Sequence, residues 1–275
     1  MSEDDVFVKA AGHRLRAKRI GEARPDLPTL VFLHEGLGSI PHWRDFPDAL
    51  CAATGCPGLV YERWGYGGSD PLVLPRPDDF LEREAEAALP EVLEACGIER
   101  PILIGHSDGG TIALLYAAAF PDRPLAVITE AAHVVLDEVT LAGIAGVVRW
   151  WQDGDLRARL ERQHGPNTEA MFRGWSETWL RPERRAWSIT DRLPRITCPV
   201  LAIQGADDEH GLPAQLEAIV QGVSGSAEGF MVPDCGHLPH HQAREVVLAR
   251  MAAFIGELHW LSPAAGKGKL RSEGL

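Results

Sequence analysis

The chain has 275 residues, is 45% apolar and carries a formal net charge of −12 at pH 7. That length and apolar content supply one large α/β core with room for an insertion. The acidity argues against nucleic acid and anionic lipid as partners, because both want a basic face.

Five cysteines (Cys51, Cys56, Cys96, Cys198 and Cys235) are an odd number without metal-type pairing, which points to reduced thiols in a cytoplasmic protein. The acidic start MSEDDVFVKA lacks a secretory apolar region, and no apolar run approaches the length of a membrane span.

In chain order, Val6 to Ile20 alternates about Ala11-Gly12 and predicts an opening hairpin. Thr29 to Leu33 is a short buried strand ending in HEGLGS, and Gly58 to Glu62 is another, ending in RWGYGGSD. Asp79 to Cys96 predicts a helix capped by Asp78 or Asp79 and kinked at Pro90. Pro101 to Ile104 is a strand that runs through the sharp turn GHSDGG into a small-residue helix, Thr111 to Phe120. Further strands are expected at Leu125 to Thr129, Val200 to Gln204 and Ala227 to Val232, with helices at Pro213 to Gln221 and Leu238 to Glu257. Strands alternating with helices mean a mainly parallel sheet covered on both faces. From Val134 to Asp191 no strand pattern is visible, and five of the eight tryptophans lie there, so residues 134–191 are expected to form an inserted helical cap on a core made of 1–133 and 192–261. Residues 262–275, rich in Gly, Ser and Lys without periodicity, are expected to be disordered.

GHSDGG, between a buried strand and a helix, has the form of a nucleophile elbow with Ser107 at its apex. Gly105 and Gly109 suit it because strand and helix approach closely there. A serine hydroxyl needs a base to take its proton and an acid to orient that base. The acid is sought in Asp207-Asp208-Glu209 after the Val200 strand; the turn there aims one side chain back at the site and Asp208 is favoured, while capping of the turn itself accounts for at least some of the three. His237, between the last strand and the last helix, is the candidate base. Nearby His240, His241 and Cys235 match no standard metal spacing. An oxyanion hole would draw one N–H from Asp108 and a second from the loop after the Thr29 strand, Gly36 before Glu35.

Together the segments LHEGLGS with Trp43, RWGYGGSD, GHSDGG, QGADDEHG and PDCGHLPH, in that order, resemble the α/β-hydrolase superfamily in its capped, serine esterase-like branch. The resemblance spans nearly the whole chain to about Leu258. It implies an α/β-hydrolase fold with Ser107 as nucleophile, Asp208 as acid, His237 as base and His34 and Gly36 at the oxyanion loop. Two positions depart from the family: Glu35 stands where glycine is usual after the loop histidine, and Asp108 where an apolar residue or Gln is common after the nucleophile. Facing the pocket, either would repel an oxyanion. Both are expected to point away or to pair with a cation such as Arg63, whose own loop is otherwise architectural.

The implied reaction is hydrolysis of a carboxylic ester or thioester of a small apolar or aromatic acyl substrate through an acyl-enzyme, with no metal or organic cofactor. Glu35, Trp150, Trp175 and Trp179 are candidate substrate contacts, although packing alone accounts for most cap tryptophans. Most cap arginines are expected on solvated faces. Alternatives are hydrolysis of a carbon–carbon bond or a lactone, and a hydrolase-like receptor without turnover. His106 before the nucleophile, where carbon–carbon hydrolases tend to have Asn, ranks the carbon–carbon reading lower. The chain could be a monomer or a homodimer.

Overall fold

A computed structural model describes residues 5–258, so the expected C-terminal tail at 262–275 lies outside the described residues. An opening hairpin pairs β1 (Asp5–Ala10) with β2 (His13–Ile20). β3 (Leu30–Leu33) leads through a short 3-10 turn to α1 (Phe46–Thr54), a helix that the sequence pattern did not single out. β4 (Gly58–Tyr61) follows, and then a composite helix of α2 (Phe80–Arg83), one π-helical turn at Glu84–Ala88 and α3 (Leu89–Cys96). Pro90 thus follows a widened turn: its ring cannot donate to the carbonyl four residues back. Asp79 sits at the helix start without capping it, because its carboxylate accepts from Arg83 Nε at 2.7 Å instead.

β5 (Ile102–His106) turns directly into α4 (Asp108–Ala119), and β6 (Ala126–Glu130) completes the first half of the sheet. Between β6 and β7 come α5 (Glu138–Asp153), α6 (Leu156–His164) and α7 (Thr168–Trp179), with only an isolated bridge between Val135 and Ser188 as extended pairing. The chain then runs through β7 (Val200–Gly205), α8 (Ala214–Gly222) and β8 (Ala227–Val232). The final helix, expected as one piece, is two: α9 (Pro239–Gln242) and α10 (Arg244–Glu257), broken at Ala243, whose φ of −129° is not helical.

The eight strands form one sheet in the order β1-β2-β4-β3-β5-β6-β7-β8, with β2 antiparallel to both its neighbours and β3 to β8 parallel. This is the α/β-hydrolase fold class. β3, β4, β5, β6 and β7 are buried along their whole length, as their unbroken apolar runs require when helices cover both faces. One face packs Val31, Leu59 and Leu103 against α3 and α4; the other packs Leu30, Phe32 and Ile104 against α1 and α10. No helix among the described residues is long and apolar enough to cross a membrane.

The topology places the site. From β3 the chain moves outward to β4, whereas from β5 it moves the other way to β6, so the loops leaving these two adjacent strands part at a crevice above their carboxyl ends. Those loops hold Gly36 and Ser107. The close approach that makes this possible depends on glycine: a Cβ on Gly109 would collide with the Leu33 backbone carbonyl, and one on Gly105 with the Gly109 carbonyl. Gly109→Ala is therefore expected to cost roughly 2–3 kcal/mol of stability by overpacking against rigid backbone. Gly256→Ala, in α10 with nothing near its Cβ, should instead gain roughly 0.5–1 kcal/mol. Urea unfolding of the two variants checks the contrast in sign.

Candidate active site

Ser107 occupies the junction of β5 and α4 with φ 51° and ψ −117°, a conformation that L residues adopt only under constraint. Its N–H donates to the Glu130 carbonyl at 2.8 Å and its own carbonyl starts α4 by accepting from Thr111, so both ends of the turn are tied. Ser107 Oγ lies 3.1 Å from His237 Nε2, and His237 Nδ1 lies 2.8 Å from Asp208 Oδ1. Of the three clustered carboxylates, Asp208 alone reaches the imidazole ring. Asp207 is exposed, and Glu209 accepts from the His237 backbone N–H at 3.2 Å. Asp208 also accepts from the His210 N–H at 2.8 Å.

These contacts define the protonation states. Burial pushes His237 down to about 3 against the opposing pull of Asp208, so the ring is neutral and free to accept a proton. Burial favours a protonated Asp208, but its bonds to His237 and to the His210 N–H outweigh that and hold it below its ordinary value. Deprotonated Asp208 accepts from Nδ1–H, leaving Nε2 as the acceptor facing Ser107.

The site opens into a cavity of about 430 Å³ lined by Gly36, Ser107 and His237. Glu35, Trp150, Trp175 and Trp179, singled out from sequence, also line it. Trp175 packs over Gly36, while Trp179 donates from Nε1 to Asp108 Oδ1 at 3.2 Å. Ile144, Val147, Leu156 and Leu160 supply an apolar wall from α5 and α6. Asp108 opens α4, so its N–H has no acceptor within the helix and points out at the positive end of the helix dipole.

The two unusual acids differ in their partners. Asp108 is buried and faces Arg63, with Nη1 3.6 Å from Oδ2. Glu35 does not point away: its carboxylate lines the cavity, and its partners are imidazoles, His42 Nδ1 at 3.1 Å and His106 Nδ1 at 3.7 Å, while Arg63 takes only its carbonyl. Burial opposes ionisation of Glu35, yet His42, His106 and His34 hold it well below the usual carboxylate range. Burial likewise opposes charging of His106, but Glu35, Glu130 and the His237 carbonyl raise it above its ordinary value. His106 Nε2 donates to that carbonyl at 2.7 Å and so braces the loop carrying the candidate base.

Arg63 ties the two loops. Its Nη2 donates to the Glu35 carbonyl at 2.7 Å, which belongs to the peptide whose N–H is that of Gly36. The same carbonyl accepts from His34 Nδ1 at 2.8 Å, and His34 Nε2 accepts from the Arg63 backbone N–H at 3.2 Å. Burial and the nearby Arg63 cation keep His34 well below its ordinary value and therefore neutral. His34 thus shapes the loop from within and is wholly buried.

The sequence pattern gave no role to His42, His133 and His210, which line the cavity with His106, His237 and His241, the last weighed only as a metal ligand. Their only early signal was a count of eleven histidines, since they come from separate loops. Of the arginines in residues 134–191, Arg184 is buried against Trp179 and Trp187 rather than solvated. No group of three or more His, Cys, Asp or Glu among the described residues is arranged to hold a metal ion.

A family model described as alpha/beta hydrolase fold matches residues 28–195. "Serine hydrolase BPHL" of Homo sapiens is 31% identical over 159 residues, which are 54% of this chain and only 53% of that protein. A "2-succinyl-6-hydroxy-2,4-cyclohexadiene-1-carboxylate synthase" of Serratia proteamaculans (strain 568) is 32% identical over 281 residues, 89% of this chain and 96% of that one. Among solved structures, an enol-lactonase from Burkholderia xenovorans LB400 superposes with a TM-score of 0.71 at 18% identity, covering 92% of this chain and all of that one.

The electrostatics of the site have a direct spectroscopic consequence. Because its pKa is lowered, His237 should stay neutral as pH falls from 8 to about 5, below the ordinary histidine value of about 6.5. His106, shifted the other way, should hold its proton above that value. Imidazole NMR titration checks both, and a His237 midpoint at or above the ordinary value contradicts the assignment.

Proposed function

The chain belongs to the alpha/beta hydrolase fold family, and on that footing we propose that it is a serine hydrolase that cleaves a carboxylic ester or thioester of a small apolar or aromatic acyl group. The observation that carries this reading is the unbroken relay Ser107 Oγ to His237 Nε2, 3.1 Å, and His237 Nδ1 to Asp208, 2.8 Å, in a cavity with an apolar wall from α5 and α6.

In the proposed reaction His237 takes the Ser107 proton as the oxygen attacks the substrate carbonyl. The N–H groups of Gly36 and Asp108 receive the developing oxyanion. His237 then passes its proton to the leaving group, and water activated by the same ring releases the acid. Arg63 supports both donors at once: it binds the carbonyl of the Glu35–Gly36 peptide and faces the Asp108 carboxylate, drawing its charge away from the hole. The helices of residues 134–191 act as a cap, with Trp175 and Trp179 over the acyl site. No step requires a metal or an organic cofactor.

Glu35 favours a second reading, in which the acyl group carries an amine. Its carboxylate is ionised and lines the cavity, although His42 and His106 already share its charge. A substrate ammonium placed there would add a charge-assisted hydrogen bond.

A panel of p-nitrophenyl esters of graded acyl length, with matched thioesters, lactones and amino esters, tests both readings. Turnover of the esters should fall by at least about 10⁴-fold in Ser107→Ala, as in other triads that lose the nucleophile. Turnover unaffected by Ser107→Ala sinks the serine mechanism, and ligand-induced stabilisation without turnover favours a receptor. If the amine reading holds, Glu35→Gln raises KM for an amino ester by more than it does for the deaminated analogue.

A further inference from the structure

Arg63 is also a wall of a second cavity, of about 230 Å³, which shares no lining residue with the first. It lies between the β1–β2 turn, at Ala10, Ala11 and His13, and the face of the composite helix carrying Phe80, Glu84 and Ala88. One side is flat and aromatic: His13 stacks on Trp64 with ring centroids 4.1 Å apart and planes within 5°. Phe80 adds a second ring.

The polar groups in this cavity are unbalanced. Arg63, Arg76 and Arg83 line it with one lining carboxyl, Glu84; Arg83 pairs outside the cavity with Asp79 and Arg63 faces Asp108 on its far side, whereas Arg76 makes no ion pair among the described residues. Arg63 and Arg76 are only 3% and 5% exposed. Arg63 Nε is buried without a hydrogen-bond partner. The Arg76 guanidinium reaches the Tyr66 hydroxyl at 2.8 Å and the Trp64 carbonyl at 3.4 Å, both uncharged acceptors. Glu84 is itself engaged, its Oε1 accepting from the Tyr61 hydroxyl at 2.7 Å, and burial shifts its carboxyl upward against the pull of Arg63 and Arg76. A buried guanidinium without a carboxylate partner, as at Arg76, is costly unless an anion completes it, and the unpartnered Arg63 Nε beside it offers a further donor. A planar carboxylate matches the guanidinium fork, and the aromatic walls match a planar ring.

We propose that this second cavity binds a small aromatic carboxylate, with the acid on Arg63 and Arg76 and the ring against Trp64 and Phe80. Occupancy reaches the first cavity through Arg63. The guanidinium that would hold the ligand also holds the Glu35 carbonyl and faces Asp108, and so bears on both proposed oxyanion donors. A ligand that draws Arg63 toward itself loosens the oxyanion hole and lowers kcat while leaving KM unchanged. That consequence rests on the hydrolase reading; the binding itself does not.

The test uses phenylacetate as probe and phenylacetamide as its uncharged counterpart. Calorimetric titration of Ser107→Ala protein should show one phenylacetate site, with phenylacetamide at least roughly tenfold weaker, the value of one charge-assisted hydrogen bond. Ala87→Trp, at the exposed rim, fills the cavity and should abolish binding, while Arg83→Glu, also at the rim, should weaken it. Should Ala87→Trp fail to fold by circular dichroism, Arg83→Glu decides. No binding at millimolar phenylacetate overturns the proposal, as does equal affinity for the amide. Affinity unchanged in the folded rim variants also overturns it, since it would locate the probe elsewhere, the first cavity included. Because calorimetry needs no turnover, a failed hydrolase reading leaves this result interpretable. With active protein, phenylacetate should lower kcat at constant KM, and purely competitive inhibition contradicts the link through Arg63.

Discussion

Ser107 is held at φ 51° in a turn with no spare room, and the rest of the site is arranged around that constraint. A strained residue of this kind costs on the order of 1–3 kcal/mol and persists only where its surroundings leave no alternative. Here the surroundings are a parallel sheet buried on both faces and a helix, α4, buried almost along its whole length. Gly105 and Gly109 let that helix press against β3 and β5 so closely that no Cβ fits between. The packing energy of the core thereby fixes the serine hydroxyl above the sheet. It also leaves the first N–H of α4 unpaired within its helix, where a developing negative charge can use it.

Around the turn, charge is compensated rather than avoided. Two acids flank the proposed oxyanion site, an arrangement that would be self-defeating if both were bare. Asp108 faces Arg63 and accepts from Trp179, and Glu35 sits among His42, His106 and His34. The same pairs do mechanical work: His106 braces the carbonyl of His237, and Arg63 braces the peptide carrying the Gly36 N–H. Position and electrostatics therefore come from one set of contacts, and Arg63 joins that set to a second cavity behind it.

The sheet and the elbow were legible in sequence because each depends on local pattern. Buried parallel strands such as LVFL and ILIGH are continuous apolar runs, and the glycines of GHSDGG mark a turn that few other residues permit. The order of Ser107, Asp208 and His237 along the chain was legible for the same reason, each following a strand end. Departures arose where tertiary contact outweighs local preference. Asp79 looks like a helix cap but is claimed by Arg83; the turn before Pro90 widens into a π turn; and Ala243 interrupts an otherwise continuous helical pattern. The partners of Glu35 could not be read at all, because His42 and His106 reach it from different segments of the chain. The second cavity is invisible for the same reason, its arginines being separated from the β1–β2 turn by tens of residues.

In the proposed reaction the Ser107 hydroxyl attacks a carbonyl whose oxygen is received by Gly36 and Asp108. A crystal structure of the protein after reaction with an alkyl p-nitrophenyl phosphonate tests it most directly, because the bound phosphonate mimics the tetrahedral intermediate. Phosphorus should be bonded to Ser107 Oγ with one phosphonyl oxygen at about 2.7–3.1 Å from both backbone nitrogens. Phosphorus on any other residue, or an oxygen turned away from both N–H groups, would contradict it.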